Sequence, residues 1–299
     1  MSRAVVITNP NASRAAVRGL EPALARLRAG GLQVELARTD APGHGEELAR
    51  QAVAGGAQLL IAHGGDGTIM EVAAAVVGTG TPLGILPAGT GNRLADNLGI
   101  RGGRRSATEA ILRGRVRTID VGRFVSADGK VRYFAVAAGC GADAATMHLA
   151  SSRWKRIFGV GAYVGAAVRA AAALRRSEVR IETDAGIHEG RAVMVIVANC
   201  GGIVPFTPPV SPRIVPDDGY FDVMILDAQT FPGVAREATR LLAGRSDGSA
   251  AITFLRARRA HVVATPELPA QADGEPAGCS PFLAEIVPGG LTVLAPPAR

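Results

Sequence analysis

The chain has 299 residues, of which 47% are hydrophobic and 20% are charged, and it carries a formal net charge of +7. This composition is typical of a folded globular protein and excludes a disordered chain, and the length allows two domains with buried cores. We expect no membrane span and no secretion signal, and the three cysteines suit a reducing cytoplasm without forming a metal or disulfide motif.

Strand and helix patterns alternate through the first third of the chain. Predicted strands cover residues 4–8, 33–38, 58–62 and 83–86, and predicted helices cover residues 15–29, 45–54 and 68–77. Alternation with short connections predicts an α/β domain built on a doubly wound parallel sheet.

After about residue 120 the segments become β-branched and are bounded by Gly, Pro or Asp, which predicts a mostly antiparallel second domain. Its predicted strands are 131–137, 179–183, 192–198, 221–226, 260–264 and 282–287, with helices near 153–176 and 233–243. We expect a first domain over residues 1–122 and a second over 123–288, with about residues 289–299 as a candidate tail that returns to the first.

The positive charge is carried almost wholly by arginine, which clusters at residues 101–105, 113–117 and 256–259. Such clusters could contact nucleic acid, anionic lipid or nucleotide phosphates, or form only a solvated surface. Aromatic residues make up 4% of the chain and do not alternate with basic ones, which argues against a single-stranded nucleic-acid groove.

Two glycine-rich segments follow the third and fourth predicted strands, GGDGT at Gly64 to Thr68 and LPAGTGN at Leu86 to Asn92. Ligands of open parallel sheets bind at this edge, so exposed N–H groups of two loops facing one space, with the Thr68 and Thr90 hydroxyls, would bind phosphate. The alternative is a pair of tight turns in which Asp66 and Thr68 only cap a helix. Neither segment is a Walker loop, because no Gly-Lys-Ser/Thr follows.

Five segments in order resemble the diacylglycerol kinase catalytic-domain family, which includes bacterial lipid kinases and sphingosine kinases. GGDGT alone is less specific, because NAD kinases share it. The segments are TNPNAS from Thr8, RTDAPGHGEELA from Arg38, HGGDGTIMEV with LPAGTGN, VPDDGYFDV from Val215 and QADGEP from Gln271.

The resemblance implies that the γ-phosphoryl group of ATP is transferred to a lipid hydroxyl, in a cleft between the α/β domain and a β-sandwich-like domain. Asp66 would help to hold the nucleotide and its Mg²⁺, since a carboxylate beside a triphosphate is repulsive without a cation. The implied nucleotide-binding residues are Asn9, Thr39, Gly64, Gly65, Asp66, Gly67, Thr68, Ile69, Met70, Glu71, Gly89, Thr90, Gly91 and Asn92.

The same resemblance implies roles for two acidic turns of the second domain. Glu275 would act as the base that takes the hydroxyl proton, with Asp273 in support, although Asp-Gly is also a common hairpin turn. Asp218 would bind a structural Mg²⁺ together with carbonyls near Val215 and Tyr220, although an Asp-Asp-Gly turn also forms without metal.

One position departs from the family pattern. Arg93 follows Gly-Thr-Gly-Asn, where many members have an aspartate or an apolar residue. Its side chain could point at phosphate or at solvent, and Asp96 lies one helical turn on, where it could partly compensate.

The predicted helix 153–176 begins with a basic and aromatic segment around Trp154 and Phe158. It could lie in a membrane interface, with Arg153, Lys155 and Arg156 on anionic headgroups, or simply pack on its own domain. The expected partner is a lipid substrate at an anionic membrane surface, the expected location is cytoplasmic and peripheral to the inner membrane, and no nucleic-acid partner is expected. The oligomeric state stays open, a homodimer included.

Two other functions remain open from the sequence. A soluble kinase of the NAD-kinase type shares GGDGT, but LPAGTGN and QADGEP argue against it. A nucleotide- or lipid-binding regulator without catalysis is favoured only by Arg93. The five histidines form no metal-spaced or Ser/His/Asp pattern, which argues against a hydrolase.

Overall fold

The computed structural model describes residues 2–10, 20–141, 176–205, 207–228, 230–245 and 248–297. The chain forms two compact units, one of Met1–Ile119 with Gly289–Arg299 and one of Asp120–Pro288. Among the described residues, no helix combines the length and the apolar character needed to cross a membrane.

The first unit is a parallel sheet flanked by helices. Its elements are β1 (Arg3–Thr8), α1 (Leu20–Ala29), β2 (Gln33–Arg38), α2 (His44–Ala54), β3 (Leu59–Gly64), α3 (Asp66–Val76), β4 (Leu83–Pro87), α4 (Arg93–Asn97) and α5 (Gly103–Arg113). The strands lie in the order β2-β1-β3-β4, and the end of a long strand, β16 (Phe282–Ala295), adds a further parallel pair through Val293 and Leu83.

The strand order explains the positions of the helices. The chain moves outward from β1 to β2, then returns past β1 to β3 and continues to β4. Because such crossovers are right-handed, the reversal places helices on both faces, and the packing of α2 on α3 and of α1 on α5 agrees with this. Every residue of β3 is buried, as a central strand covered on both faces requires. The predicted doubly wound α/β fold is confirmed.

The second unit consists mainly of antiparallel strands. Its elements are β5 (Arg115–Ser126), β6 (Val131–Phe134), β7 (Ala137–Gly141), β8 (Ser177–Thr183), β9 (Gly186–Ala192), β10 (Met194–Ala198), β11 (Phe221–Leu226), α6 (Phe231–Leu242), β12 (Ile252–Ala257), β13 (Arg259–Thr265), β14 (Pro269–Ala272) and β15 (Glu275–Cys279). One sheet has the order β12-β11-β10-β7-β14-β15, and the other pairs β16, β13, β8 and β9, with β5 beside β16 and β6 beside β5.

The core of this unit combines side chains from both sheets. Two stacked phenylalanine pairs lie in it, Phe124 with Phe282 at 4.8 Å and Phe134 with Phe221 at 5.4 Å between ring centroids. Each of these rings is at most 1% exposed. Burial of the inner faces of two sheets against each other confirms the predicted antiparallel, sandwich-like domain.

Several predicted elements differ from the structure. The strand predicted over 131–137 is two strands, β6 and β7, and the helix predicted to begin at Thr68 begins at Asp66. Strands β5, β9, β12, β14 and β15 and helices α4 and α5 were not predicted. The predicted helix 153–176, with Trp154 and Phe158, lies outside the described residues except for Arg176, which pairs with Asp227 at 2.6 Å.

Candidate active site

The reversal of strand order in the first unit falls between β1 and β3. Their last paired residues are Thr8 and His63, and two further backbone bonds join this edge: Asn9 N–H donates to the His63 carbonyl at 3.3 Å and Thr39 N–H to the Thr8 carbonyl at 3.0 Å. Asn9 and Thr39, both predicted to bind nucleotide, therefore both lie beside the end of β1. Ligands of open α/β sheets bind at such a reversal.

The turn from β3 to α3 presents backbone N–H groups at the same edge. Gly64 ends the strand, Gly65 is extended, and Asp66 begins the helix. The N–H of Ile69 donates to the Gly65 carbonyl at 3.0 Å, so the three N–H groups before it have no partner within the helix. These donors and the helix dipole suit an anionic ligand. Most of the GGDGT segment is therefore the first helical turn, not a loop.

Two side chains in this turn are buried and serve packing. Thr68 is 8% exposed and Ile69 is not exposed at all. A β-carbon at Gly64 would lie 2.5 Å from the Thr68 β-carbon, so the threonine side chain occupies that space. The Ile69 side chain is therefore not available to a ligand, whereas the binding of phosphate by the Thr68 hydroxyl stays a prediction.

The second glycine segment lies directly against the first. Ala88 N–H donates to the Gly64 carbonyl at 2.8 Å, and a β-carbon at Gly89 would lie only 2.6 Å from the Gly65 α-carbon. The Asn92 side chain closes the turn, accepting from Gly89 N–H at 2.9 Å and donating to the Gly89 carbonyl at 2.7 Å. The two segments are in backbone contact here, which corrects the expectation of a phosphate-sized space between them.

Asp66 is linked to the residue that departs from the family pattern. Its Oδ1 accepts a hydrogen bond from the Arg93 backbone N–H at 2.7 Å, and its Oδ2 lies 3.9 Å from Arg93 Nε. Arg93 is buried beside Asp66 and does not point into solvent. Burial raises the pKa of nearby Asp96, against the opposing effect of Arg101.

Glu71, predicted to bind nucleotide, has a structural role. Its two carboxylate oxygens accept hydrogen bonds from the backbone N–H groups of Gly43 at 2.8 Å and Gly45 at 3.0 Å. These groups lie at the beginning of α2, where N–H groups need acceptors from outside the helix. Glu71 therefore joins α3 to the N-terminus of α2, and its contact with the nucleotide stays a prediction.

His63 contributes a buried polar contact that the sequence did not suggest. Its Nδ1 lies 2.8 Å from the Thr8 hydroxyl oxygen, and the residue is 1% exposed. Burial, followed by the positive charge of Arg104, lowers the pKa of His63 to about 4. Within the described part of the chain its Nε2 has no hydrogen-bond partner. Its position directly before GGDGT, at a strand end, was the only available signal.

In the second unit, the DGE segment forms the turn between β14 and β15. Ala272 pairs with Glu275, and both turn residues have positive φ, 46° at Asp273 and 84° at Gly274. This is the geometry of a two-residue hairpin with a primed turn. Glu275 is exposed as the first residue of β15.

Asp273 is buried in that turn and is not a solvated carboxylate. Its Oδ2 accepts from Ala135 N–H at 2.6 Å, and its Oδ1 accepts from Val136 and Ala137 N–H, both at 2.9 Å. These bonds occupy the backbone between β6 and β7 and explain why the predicted strand 131–137 is interrupted. Asp273 thus shapes the turn that carries Glu275, a role consistent with support but not with direct proton transfer.

The predicted metal turn is held by protein groups. Asp218 Oδ1 accepts from Tyr220 N–H at 3.1 Å, and Asp218 Oδ2 lies 2.9 Å from the Arg256 guanidinium, which also stacks 4.4 Å above the Tyr220 ring. The buried carboxylate of Asp120 accepts from Gly219 N–H at 2.7 Å.

These residues do not fit a dedicated magnesium site. Mg²⁺ requires near-octahedral oxygen ligands, but the Asp218 carboxylate is already paired with a guanidinium. Among the described residues, no group of three or more His, Cys, Asp or Glu side chains is placed to hold a metal ion. The pairing of Asp218 with Arg256 argues against the metal predicted at Asp218, Val215 and Tyr220, and that site stays a prediction.

Family comparisons agree with both units. The diacylglycerol kinase catalytic domain matches residues 3–124, and the YegS C-terminal NAD kinase beta sandwich-like domain matches residues 135–295. The chain belongs to the diacylglycerol kinase catalytic-domain family.

Individual relatives extend over most of the chain. It is 31% identical over 226 residues to a diacylglycerol kinase of Bacillus subtilis, covering 75% of this chain and 73% of that protein. It is 28% identical over 305 residues to a diacylglycerol kinase of Mycobacterium tuberculosis, covering 99% and 96%. An uncharacterized protein of Synechocystis is 29% identical over 245 residues, and the alignment spans 55% of that protein.

A solved structure shares the fold. The crystal structure of a diacylglycerol kinase from Bacillus anthracis superimposes with a TM-score of 0.72 at 20% identity, covering 99% of this chain and 97% of that chain.

Proposed function

We propose that this chain is a lipid kinase that transfers the γ-phosphoryl group of ATP to the hydroxyl of a diacylglycerol-like or related lipid alcohol. Family membership supports phosphoryl transfer, and the relatives from Bacillus subtilis and Mycobacterium tuberculosis are diacylglycerol kinases. LPAGTGN and QADGEP, two segments of the family resemblance, favour a lipid over NAD as the acceptor.

The observation that carries the proposal is the N-terminus of α3 at the reversal of the sheet. Gly65 and Gly89 keep this edge free of side chains, and the backbone N–H groups of residues 66–68 lie at the start of the helix. Such groups bind phosphate oxygens without a lysine. Asn9, Thr39 and Thr90 lie in the segments around this edge and complete the proposed ATP site.

Glu275 is the proposed base. Its carboxylate takes the proton of the lipid hydroxyl while the hydroxyl oxygen forms a bond to the γ-phosphorus. The bond between that phosphorus and the bridging oxygen breaks, and ADP leaves with the electron pair. Asp273 contributes by fixing the hairpin that presents Glu275, through its three backbone hydrogen bonds.

Magnesium is proposed to arrive with ATP as part of the substrate. When bound, it supplies positive charge to the β- and γ-phosphates and the leaving ADP. Asp66, at the first position of α3 and partly exposed, is the residue proposed to position the nucleotide with its cation.

The proposed substrate lies at an anionic membrane surface, which the enzyme would reach from the cytoplasm as a peripheral protein. The net charge of +7 and the exposed arginines of α5 support attraction to such a surface. A surface of this kind adds roughly 1 kcal/mol of binding for each basic side chain close to it.

The test is phosphate transfer from ATP, labelled at the γ-position, to a panel of lipid alcohols in mixed micelles with Mg²⁺. The panel includes diacylglycerol, a sphingoid base, phosphatidylglycerol and, as the rival acceptor, NAD. We expect labelled lipid with the wild type and a loss of about a hundredfold or more with Asp66→Asn. Labelled NAD alone would support the NAD-kinase alternative. ATP binding without transfer to any acceptor would support a regulator.

A further inference from the structure

Arg93 contacts Asp66 in two ways. It is the first residue of α4, its backbone N–H donates to Asp66 Oδ1 at 2.7 Å, and its Nε lies 3.9 Å from Asp66 Oδ2. Its side chain is 8% exposed, compared with 21% for Asp66. The guanidinium is therefore buried beside the carboxylate and is not an exposed surface group.

The charged groups of Asp66 and Arg93 lie in a partly buried site. Two opposite charges in a partly buried site interact more strongly than at the surface, because less water screens them. Two further charged residues lie nearby: Asp96, one helical turn beyond Arg93, and Arg101, whose charge acts on Asp96. The four side chains together are close to neutral, whereas an aspartate in place of Arg93 would leave a strongly negative cluster.

We propose that Arg93 is a positioning residue that neutralises Asp66, so that a nucleotide polyphosphate binds beside α3 with less dependence on magnesium. This inference rests on the proposed ATP site. The inference concerns the binding of ATP only. The requirement for magnesium in phosphoryl transfer is unchanged.

Neutralising Asp66 should favour ATP binding because a free carboxylate repels a polyphosphate. With an aspartate or an apolar residue at this position, only a dissolved cation could separate the carboxylate from the polyphosphate. In this chain a covalently attached guanidinium already compensates the Asp66 charge before any ligand arrives. The N–H groups at the start of α3 can then bind phosphate oxygens in a site that is not itself negative.

The test measures ATP affinity by calorimetry, once with EDTA and once with excess Mg²⁺, on the full-length protein. We expect Arg93→Gln to weaken ATP binding in EDTA about tenfold or more, equivalent to about 1.4 kcal/mol, and to regain most of the affinity in Mg²⁺. Arg93→Lys, which keeps the charge, should retain most of the affinity in EDTA. Arg105→Gln, an exposed arginine on α5, is the matched control for loss of one positive charge.

A second arm separates charge compensation from a structural role. On an Asp66→Asn background there is no carboxylate charge to compensate, so Arg93→Gln should have a much smaller effect in EDTA. Equal ATP affinity of wild type and Arg93→Gln in EDTA would overturn the inference. So would an equal loss in EDTA and in Mg²⁺, which is the result of a distorted site. Failure of the wild type to bind ATP in either condition would instead overturn the proposed function, and the inference with it.

Discussion

The hydroxyl oxygen of Thr8 lies 2.8 Å from Nδ1 of His63, and this buried pair joins β1 to β3 where the strand order reverses. The Thr8 carbonyl also accepts a hydrogen bond from Thr39 N–H, and the His63 carbonyl accepts one from Asn9 N–H. Neutral His63 therefore lies at the centre of the contacts that hold the proposed nucleotide edge together.

The first prediction concerns acid stability. Burial lowers the pKa of His63 to about 4, below its ordinary value of 6.5, so the unfolded chain takes up a proton at a higher pH than the folded one. Both states are neutral at this residue above the ordinary value. As the pH falls from there towards 4, the free energy of unfolding should fall by up to about 1.4 kcal/mol per pH unit.

Urea unfolding at neutral pH and at about pH 5 measures this effect. His63→Asn should show a shallower dependence on pH than the wild type, whereas His188→Asn, at a partly exposed position, should keep a dependence closer to that of the wild type. Identical dependence in wild type and His63→Asn would show that the buried imidazole does not control acid stability.

The second prediction concerns Asp273. Asp273→Ala removes three hydrogen bonds from buried backbone N–H groups and also places alanine at a φ of 46°. We expect a loss of at least about 3 kcal/mol in the free energy of unfolding. Asp273→Asn, which tolerates this backbone conformation and keeps part of the hydrogen bonding, should lose less. Wild-type stability of the alanine variant would contradict the structural role of Asp273.

Asp273 also shows what the sequence could and could not predict. Hydrophobic periodicity predicted the parallel sheet and most strand positions, because those depend on local patterns. The break between β6 and β7 depends on a carboxylate more than 130 residues further along the chain, and no local pattern contains it. The strand β5 escaped prediction because its beginning, around Arg115 and Val116, is exposed and charged.

The third prediction concerns the contact between the two glycine segments. In Gly89→Ala the new β-carbon would lie 2.6 Å from the Gly65 α-carbon, so the two backbones must move apart. We expect ATP affinity to fall about tenfold or more, with a stability loss of about 1–3 kcal/mol. The matched control is Gly190→Ala, where the β-carbon would make only an ordinary contact of 3.5 Å. Unchanged ATP affinity in Gly89→Ala would indicate that the phosphates do not bind beside the contact of Gly89 with Gly65.

The fourth prediction concerns Asp218. Because Arg256 already pairs with this carboxylate, the thermal midpoint of the nucleotide-free wild type should be the same in EDTA and in Mg²⁺. Arg256→Ala should lose about 1 kcal/mol or less, since the pair is partly exposed. A gain of stability with Mg²⁺ in this variant alone would show that the guanidinium excludes a metal from Asp218. Arg258→Ala also removes a guanidinium from the Tyr220 ring but leaves the Asp218 pair, so it should gain no response to Mg²⁺. A lower thermal midpoint of the wild type in EDTA than in Mg²⁺ would support the metal site predicted at Asp218.

In the candidate site, as in the fold, the positions of local segments could be predicted from the sequence, but contacts between elements could not. The sequence located GGDGT and LPAGTGN at the sheet edge because glycine segments after predicted strands are a local signal. It could not show that Glu71 reaches back to Gly43 and Gly45, or that Arg93 lies beside Asp66, because both contacts cross between elements.

The most direct test of phosphoryl transfer with Glu275 as base is the comparison of Glu275→Gln with the wild type in lipid phosphorylation and in ATP binding. Glu275 is exposed, so the substitution should leave the thermal midpoint and the ATP affinity close to those of the wild type. We predict that kcat falls by about a hundredfold or more, because the amide cannot take the hydroxyl proton. A glutamine variant that phosphorylates lipid at the wild-type rate would contradict the proposed role of Glu275.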